Sequence, residues 1–121
     1  MKVIEFAFTV YPVAELKRAR EFYEGTFGLK PGMVYEGEKM GWVEYEVGTG
    51  VFAIGSGAEM FKPSVDGGTI AFEMEDFEEA IRELKGSGCK FVFEAMETPV
   101  CRMAGVLDPD GNAIIVHKRK G

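Results

Sequence analysis

Residues 8–23 read F-T-V-Y-P-V-A-E-L-K-R-A-R-E-F-Y, and residues 69–84 read T-I-A-F-E-M-E-D-F-E-E-A-I-R-E-L. A shift of 61 residues aligns the two segments and places Glu15 on Asp76. The repeat covers about half of the chain, which indicates a duplicated supersecondary unit rather than a long solenoid. Two such units joined edge to edge tend to enclose a concavity in which a ligand can bind.

Each repeat is predicted to have the element order β-α-β-β-β. The apolar and β-branched residues at 3–11 predict a buried strand, and an apolar stripe from Leu16 to Phe27 predicts a helix that Gly28 ends. The remaining predicted strands are 33–37, 41–47 and 51–54, then 69–74, 89–94, 101–107 and 112–118, with the second helix beginning after Asp76. The predicted fold class is therefore α+β: two βαβββ repeats forming a concave eight-stranded sheet with two outer helices.

The length of 121 residues predicts a single domain, with one repeat at 1–57, a connector at 58–66 and the other repeat at 67–121. A net charge of −6 argues against nucleic-acid binding, which normally requires a basic surface. No apolar run approaches the roughly 20 residues of a membrane span. Cys89 and Cys101 lack metal-type spacing, so we expect a reduced, cytoplasmic protein.

The segment Asp108-Pro-Asp-Gly-Asn112 invites comparison with a calcium loop. An EF-hand loop beginning at Asp108 requires glycine at its sixth position and glutamate at its twelfth, but these positions hold Ala113 and Arg119. Proline followed by Asp-Gly is instead typical of a tight turn. The segment is therefore predicted to join two antiparallel strands.

Short motifs are spread over nearly the whole chain: Pro12-Val13, Glu15–Ala19, Phe22-Tyr23, Phe27–Leu29, Phe72-Glu73 before Asp76, and Asp108–Ile114. In these motifs the chain resembles the vicinal oxygen chelate superfamily, which includes glyoxalase I, extradiol dioxygenases, fosfomycin-resistance enzymes and bleomycin-resistance proteins. These motifs are turns, helix starts and packing residues, so they indicate the fold rather than a reaction.

The resemblance also implies where a divalent metal would be held by His and Glu side chains. The implied ligand positions are Phe8 and Thr69 on the first strand of each repeat, and Ala53 and Ile115 on the last. None is an ordinary metal ligand, and only threonine is even a weak one. We therefore expect no metal site of the usual kind and no cofactor.

A relocated metal site is the alternative. Strand alternation places His117, the single histidine, on the face of Ile115, and Glu73 on the face of Thr69. Glu44 is the third candidate of a His117–Glu73–Glu44 set. His117 lies two residues beyond the implied ligand position, a displacement of roughly 6–7 Å along the strand. A side chain does not simply make up this displacement while keeping metal bonds near 2 Å.

The remaining candidates predict a mostly apolar binding cavity with polar anchors at its mouth. Alternatively, these side chains simply fill the core of a small sheet. The predicted ligand-binding residues are Phe6, Phe8, Val10, Trp42, Thr69, Glu73, Arg102, Ile115 and His117.

Three functions follow from these observations. The first is a metal-independent small-molecule binder of the bleomycin-resistance type, acting as a homodimer on an aromatic or cationic ligand. The second is a divergent metal-dependent lyase or dioxygenase of the glyoxalase I type with relocated ligands. The third is a non-catalytic dimeric interaction module. Whether the protein is an enzyme stays open at this point.

Overall fold

The structure, a computed structural model, describes residues 1–59 and 61–121. It divides into two compact units, Met1–Pro63 and Ser64–Gly121. Met60, in the predicted connector, lies outside the described residues. Among the helices of the described residues, none is long and apolar enough to cross a membrane.

The first unit contains one helical region and four strands. Its elements are β1 (Thr9–Pro12), α1 (Leu16–Arg20), a π-helical segment (Glu21–Thr26), β2 (Pro31–Glu36), β3 (Gly41–Val47) and β4 (Gly50–Ser56). The strand order is β1-β4-β3-β2. β1 runs parallel to β4, and the other pairs are antiparallel.

An aromatic core lies between this sheet and its helical region. Phe52 and Tyr45 project from the sheet and Tyr23 from the helical region, and all three are almost fully buried. The Tyr23 and Phe52 ring centroids are 5.1 Å apart, and Tyr11 meets Phe52 edge-on at 5.5 Å. Rings of this size dominate the burial free energy of a small unit, so they fix which face of the sheet carries the helix.

The N-terminal prediction was wrong in its extent. A buried strand was expected at 3–11, but β1 begins only at Thr9, and Val3, Ile4 and Phe6 are at least 80% exposed. The apolar pattern is present in this segment, but burial needs a partner surface as well as a pattern. Within the first unit, pairing with β4 extends from Thr9 to Pro12.

The second unit repeats the plan. Its elements are β5 (Ile70–Glu73), α2 (Phe77–Gly86), β6 (Phe91–Glu97), β7 (Cys101–Leu107) and β8 (Ala113–Arg119), and the strand order is β5-β8-β7-β6. Asp76 caps α2, since its Oδ1 accepts a hydrogen bond from the Glu79 N–H at 3.1 Å. The second helix therefore begins directly after Asp76, as predicted.

The Asp108–Asn112 segment is a turn between the antiparallel strands β7 and β8, as predicted. Asp108 is 4% exposed, and its Oδ1 accepts hydrogen bonds from the N–H groups of Asp110 and Asn112, both at 2.9 Å. Asn112 Nδ2 donates to Asp108 Oδ2 at 2.9 Å. Gly111 has φ +91°, which a residue with a side chain adopts only under strain.

The predicted fold class is confirmed. Two βαβββ repeats form two four-stranded mixed sheets, each with a helix on one face, in an α+β arrangement. The corresponding β1–β4 and β5–β8 pairs are both parallel.

Candidate ligand-binding faces

Each sheet has a second face, turned away from its helix, which we call its open face. Alternation along the strands places Val10, Trp42, Glu44, Ala53 and Gly55 on the open face of the first sheet. The same alternation places Ala71, Glu73, Met103, Gly105, Ile115 and His117 on the open face of the second sheet. Most of the predicted site residues lie on or beside these two faces.

An aromatic pair dominates the open face of the first sheet. The Phe8 and Trp42 ring centroids are 5.3 Å apart and the rings meet edge to face at 87°. Trp42 lies over Gly55, where a Cβ atom would approach Trp42 Cε3 to 3.1 Å. The indole N–H donates to Glu44 Oε2 at 2.9 Å, so both the plane and the rotation of the indole are fixed. A carboxylate is thus held at the N–H of an indole whose ring also packs against Phe8.

The neighbouring predicted residues are largely exposed. Phe8 is 48% exposed, Val10 on β1 is 38% exposed, and Phe6 before the strand is 97% exposed. Phe8 and Val10 beside the fixed indole form an exposed apolar surface, which is a common feature of interaction sites.

A carboxylate–imidazole pair lies on the open face of the second sheet. Parallel pairing of β5 with β8 sets Glu73 opposite His117, and His117 Nδ1 lies 2.6 Å from Glu73 Oε1. The backbone N–H of Arg119 donates to Glu73 Oε2 at 2.7 Å. This backbone hydrogen bond, followed by that from His117, lowers the pKa of Glu73 below its usual value. Glu73 is therefore ionised at neutral pH.

Two further candidates flank this pair. Ile115 is half-buried and lies opposite Ala71 and Gly105 in the sheet, and Thr69 is exposed immediately before β5. Of the predicted site residues on this sheet, Glu73 and His117 are the two whose side chains are in direct contact.

Arg102 lies on the other face of the second sheet. Along β7, Met103 lies opposite His117 on the open face, so Arg102 projects to the helix side. Its guanidinium lies 4.7 Å from the centroid of the Phe77 ring and forms an ion pair with Glu78, both on α2. Arg102 therefore packs the second helix onto its sheet, on the face opposite to that of Glu73 and His117.

Sequence reasoning missed the role of two glycines. Gly55 accommodates Trp42, and Gly105 accommodates Phe93, whose Cε1 would clash with a Cβ atom at residue 105. In both cases a ring on the adjacent strand covers a position without a side chain. An aromatic residue paired with a glycine on the neighbouring strand would have indicated this packing. Recognising such a pair requires the strand register, which the sequence alone does not provide.

A family model described as Glyoxalase/Bleomycin resistance protein/Dioxygenase superfamily matches residues 5–116. The chain belongs to this superfamily. No curated protein matches the chain significantly.

Solved structures share the superfamily fold at low sequence identity. The antibiotic-binding protein TnmS3 from Streptomyces sp. CB03234 is 19% identical with a TM-score of 0.78, and the match covers 99% of each chain. The trypanothione-dependent glyoxalase I of Leishmania major is 23% identical with a TM-score of 0.78, covering 96% of this chain and 87% of that one. The fosfomycin resistance protein FosX from Listeria monocytogenes is 13% identical with a TM-score of 0.76, covering 97% and 94%.

The residues at the metal positions implied by the superfamily resemblance do not fit a divalent ion. Phe8 offers an aromatic ring, Ala53 a methyl group, Thr69 a hydroxyl and Ile115 an aliphatic chain, where imidazole or carboxylate donors are needed. Within residues 1–59 and 61–121, no three His, Cys, Asp or Glu side chains form a group suited to holding a metal. Of the relocated set, Glu73 and His117 are in contact, whereas Glu44 lies in the first unit and bonds to Trp42.

Proposed function

We propose that this superfamily member binds a small aromatic cation without a metal. The observation that carries the proposal is the fixed Trp42 indole with Phe8 at its edge and the Glu44 carboxylate at its N–H. The lack of suitable donors at the superfamily's metal positions supports a function without a metal.

The first open face has the chemistry that an aromatic cation requires. Stacking on an indole and attraction to a carboxylate both favour a positively charged ring compound, and cation–π attraction contributes about 0.5–2 kcal/mol. Glu44 holds Trp42 in place before the ligand arrives, so less ordering entropy is lost on binding. The net charge of −6 also favours the approach of cations.

Trp42 is the only tryptophan, so its fluorescence reports on this face alone. We expect phenyltrimethylammonium to change Trp42 emission saturably, and its neutral isostere tert-butylbenzene to bind about tenfold more weakly. Glu44→Gln should remove the preference for the cation, and Phe8→Ala should weaken both ligands. Glu38→Gln changes the net charge equally in an exposed loop and should behave as the wild type.

Saturable emission changes with neither compound would contradict the proposal. A cation preference that Glu44→Gln and Glu38→Gln reduce equally would place its origin in net charge rather than in the site.

We also propose that the protein is a cytoplasmic homodimer. β2 and β6 each end the strand order of their sheet and carry exposed apolar residues, among them Val34 and Val92. Exposed strand edges favour pairing with another chain. Sedimentation equilibrium should give a mass of two chains, and a monomer at all concentrations would contradict this proposal. Both cysteines are free, which suits a reducing compartment.

A further inference from the structure

The Glu73–His117 pair has the geometry of a proton acceptor. Glu73 is ionised and can only accept hydrogen bonds, so the contact at 2.6 Å requires His117 Nδ1 to carry the proton. In the neutral ring, Nε2 then holds a lone pair. The backbone N–H of Arg119 fixes the other oxygen of Glu73 and thereby the orientation of the carboxylate.

His117 has apolar neighbours on one side and the charged Arg119 on the other, two residues further along the same strand face, and the Arg119 charge also acts on Glu73. Ile115 precedes it by two residues on the same face, and Met103 lies opposite it on β7. The His117 side chain is 27% exposed, so a ligand on this face can reach the ring. A thioether and an aliphatic chain beside a proton acceptor suit an aromatic compound with a polar hydrogen.

We propose that His117 Nε2 accepts the hydroxyl proton of a phenolic ligand bound on the open face of the second sheet. This inference rests on the proposed small-molecule function and adds the ligand class that the second sheet takes. In the transfer, the ligand O–H bond breaks, its electron pair stays on oxygen, and an Nε2–H bond forms. The negative charge of Glu73 stabilises the imidazolium that results.

The acceptor role can be tested with para-nitrophenol, whose absorption reports its protonation state, and with para-nitroanisole, which has no hydroxyl. We expect the wild type to bind the phenol about tenfold more tightly than the ether and to shift its spectrum towards phenolate. His117→Gln and Glu73→Gln should both remove this preference while leaving affinity for the ether unchanged. Glu97→Gln, which alters an exposed carboxylate bound to Lys120, is the matched control.

Equal binding of both compounds by the wild type would overturn the inference and leave the small-molecule function standing. A phenol preference that survives in His117→Gln would overturn it as well. Uptake of neither compound would overturn the inference, and would contradict the small-molecule function too if the aromatic cation also failed to bind.

The unmodified protein provides a second test that does not depend on a ligand. Because His117 is the only histidine, nitrogen NMR of the wild type gives one pair of imidazole signals. We expect the neutral ring to carry its proton on Nδ1 and to lose this tautomer preference in Glu73→Gln. A neutral ring protonated on Nε2 in the wild type would overturn the inference.

Discussion

At the residue scale, the buried polar pair Asp108 and Asn112 has the clearest structural role. Their side chains and backbones close the β7–β8 turn through several hydrogen bonds, and Asn112 Oδ1 also accepts one from the Ser64 N–H at 3.2 Å. A buried carboxylate is costly unless such donors surround it. The turn motif is thus a structural device, which explains why it indicates the fold and not a reaction.

Replacing Asp108 should destabilise the second unit. In Asp108→Ala, the N–H groups of Asp110 and Asn112 lose their acceptor, so we expect a free energy of unfolding about 2–3 kcal/mol lower, measured by urea denaturation. Asp66→Ala, at an exposed loop position, is the control and should change stability by less than about 0.5 kcal/mol. Equal stability of the two variants would contradict this role of the turn.

Sequence reasoning predicted the turn and proposed Glu73 and His117 for one relocated metal set, but it did not predict the direct contact of their side chains. The turn is encoded locally by Pro, Asp and Gly, whereas the contact depends on the parallel register of two strands more than 40 residues apart. Alternation placed each residue on its face, but only the register sets them opposite each other. The same limit applies to Trp42 over Gly55.

At the element scale, the first helical region departs from its prediction. The apolar spacing predicted a continuous α-helix, but Glu21–Thr26 is π-helical, and the Phe27 N–H donates to Phe22 O at 3.1 Å. Glu24 within this segment links α1 to β3. Its Oε2 accepts one hydrogen bond from Arg20 Nε at 2.7 Å and another from the Tyr45 hydroxyl at 2.9 Å. Spacing alone does not distinguish this wider turn, because the apolar stripe remains intact.

The Glu24 network should make stability depend on pH. Hydrogen bonds from Arg20, and then from Tyr45, lower the pKa of Glu24 in the folded state. A lowered folded pKa contributes stability above the unfolded pKa, near 4.3, that is lost as pH falls through the folded value. We therefore expect Glu24→Gln to reduce the loss of stability between neutral pH and about pH 3, measured by urea denaturation.

Glu21→Gln is the matched control for this network. Glu21 is exposed and lies 3.8 Å from Lys17, so its replacement should leave the pH dependence of the wild type almost unchanged. If the Glu24→Gln and wild-type profiles run parallel, the network does not contribute to acid sensitivity.

At the scale of the whole molecule, duplication preserved the fold while the two open faces diverged. Gly55, with Trp42 opposite it, occupies the place in the first sheet that His117, with Met103 opposite it, occupies in the second. One repeat therefore presents an aromatic surface with a carboxylate, and the other a carboxylate–imidazole pair. The duplication and the α+β class were readable from hydrophobic periodicity, because periodicity reflects which face of each element is buried. The chemistry of the open faces could not be predicted from periodicity, because it depends on which side chains the strand register places next to one another.

The most direct test of the central claim is a titration of phenyltrimethylammonium into protein purified without a histidine tag, followed by Trp42 fluorescence. Metal content is measured on the same sample before and after dialysis against a chelator. We predict divalent metal far below one ion per chain and the same affinity before and after dialysis. A divalent ion near one per chain, whose removal abolishes the fluorescence response, would contradict metal-independent binding.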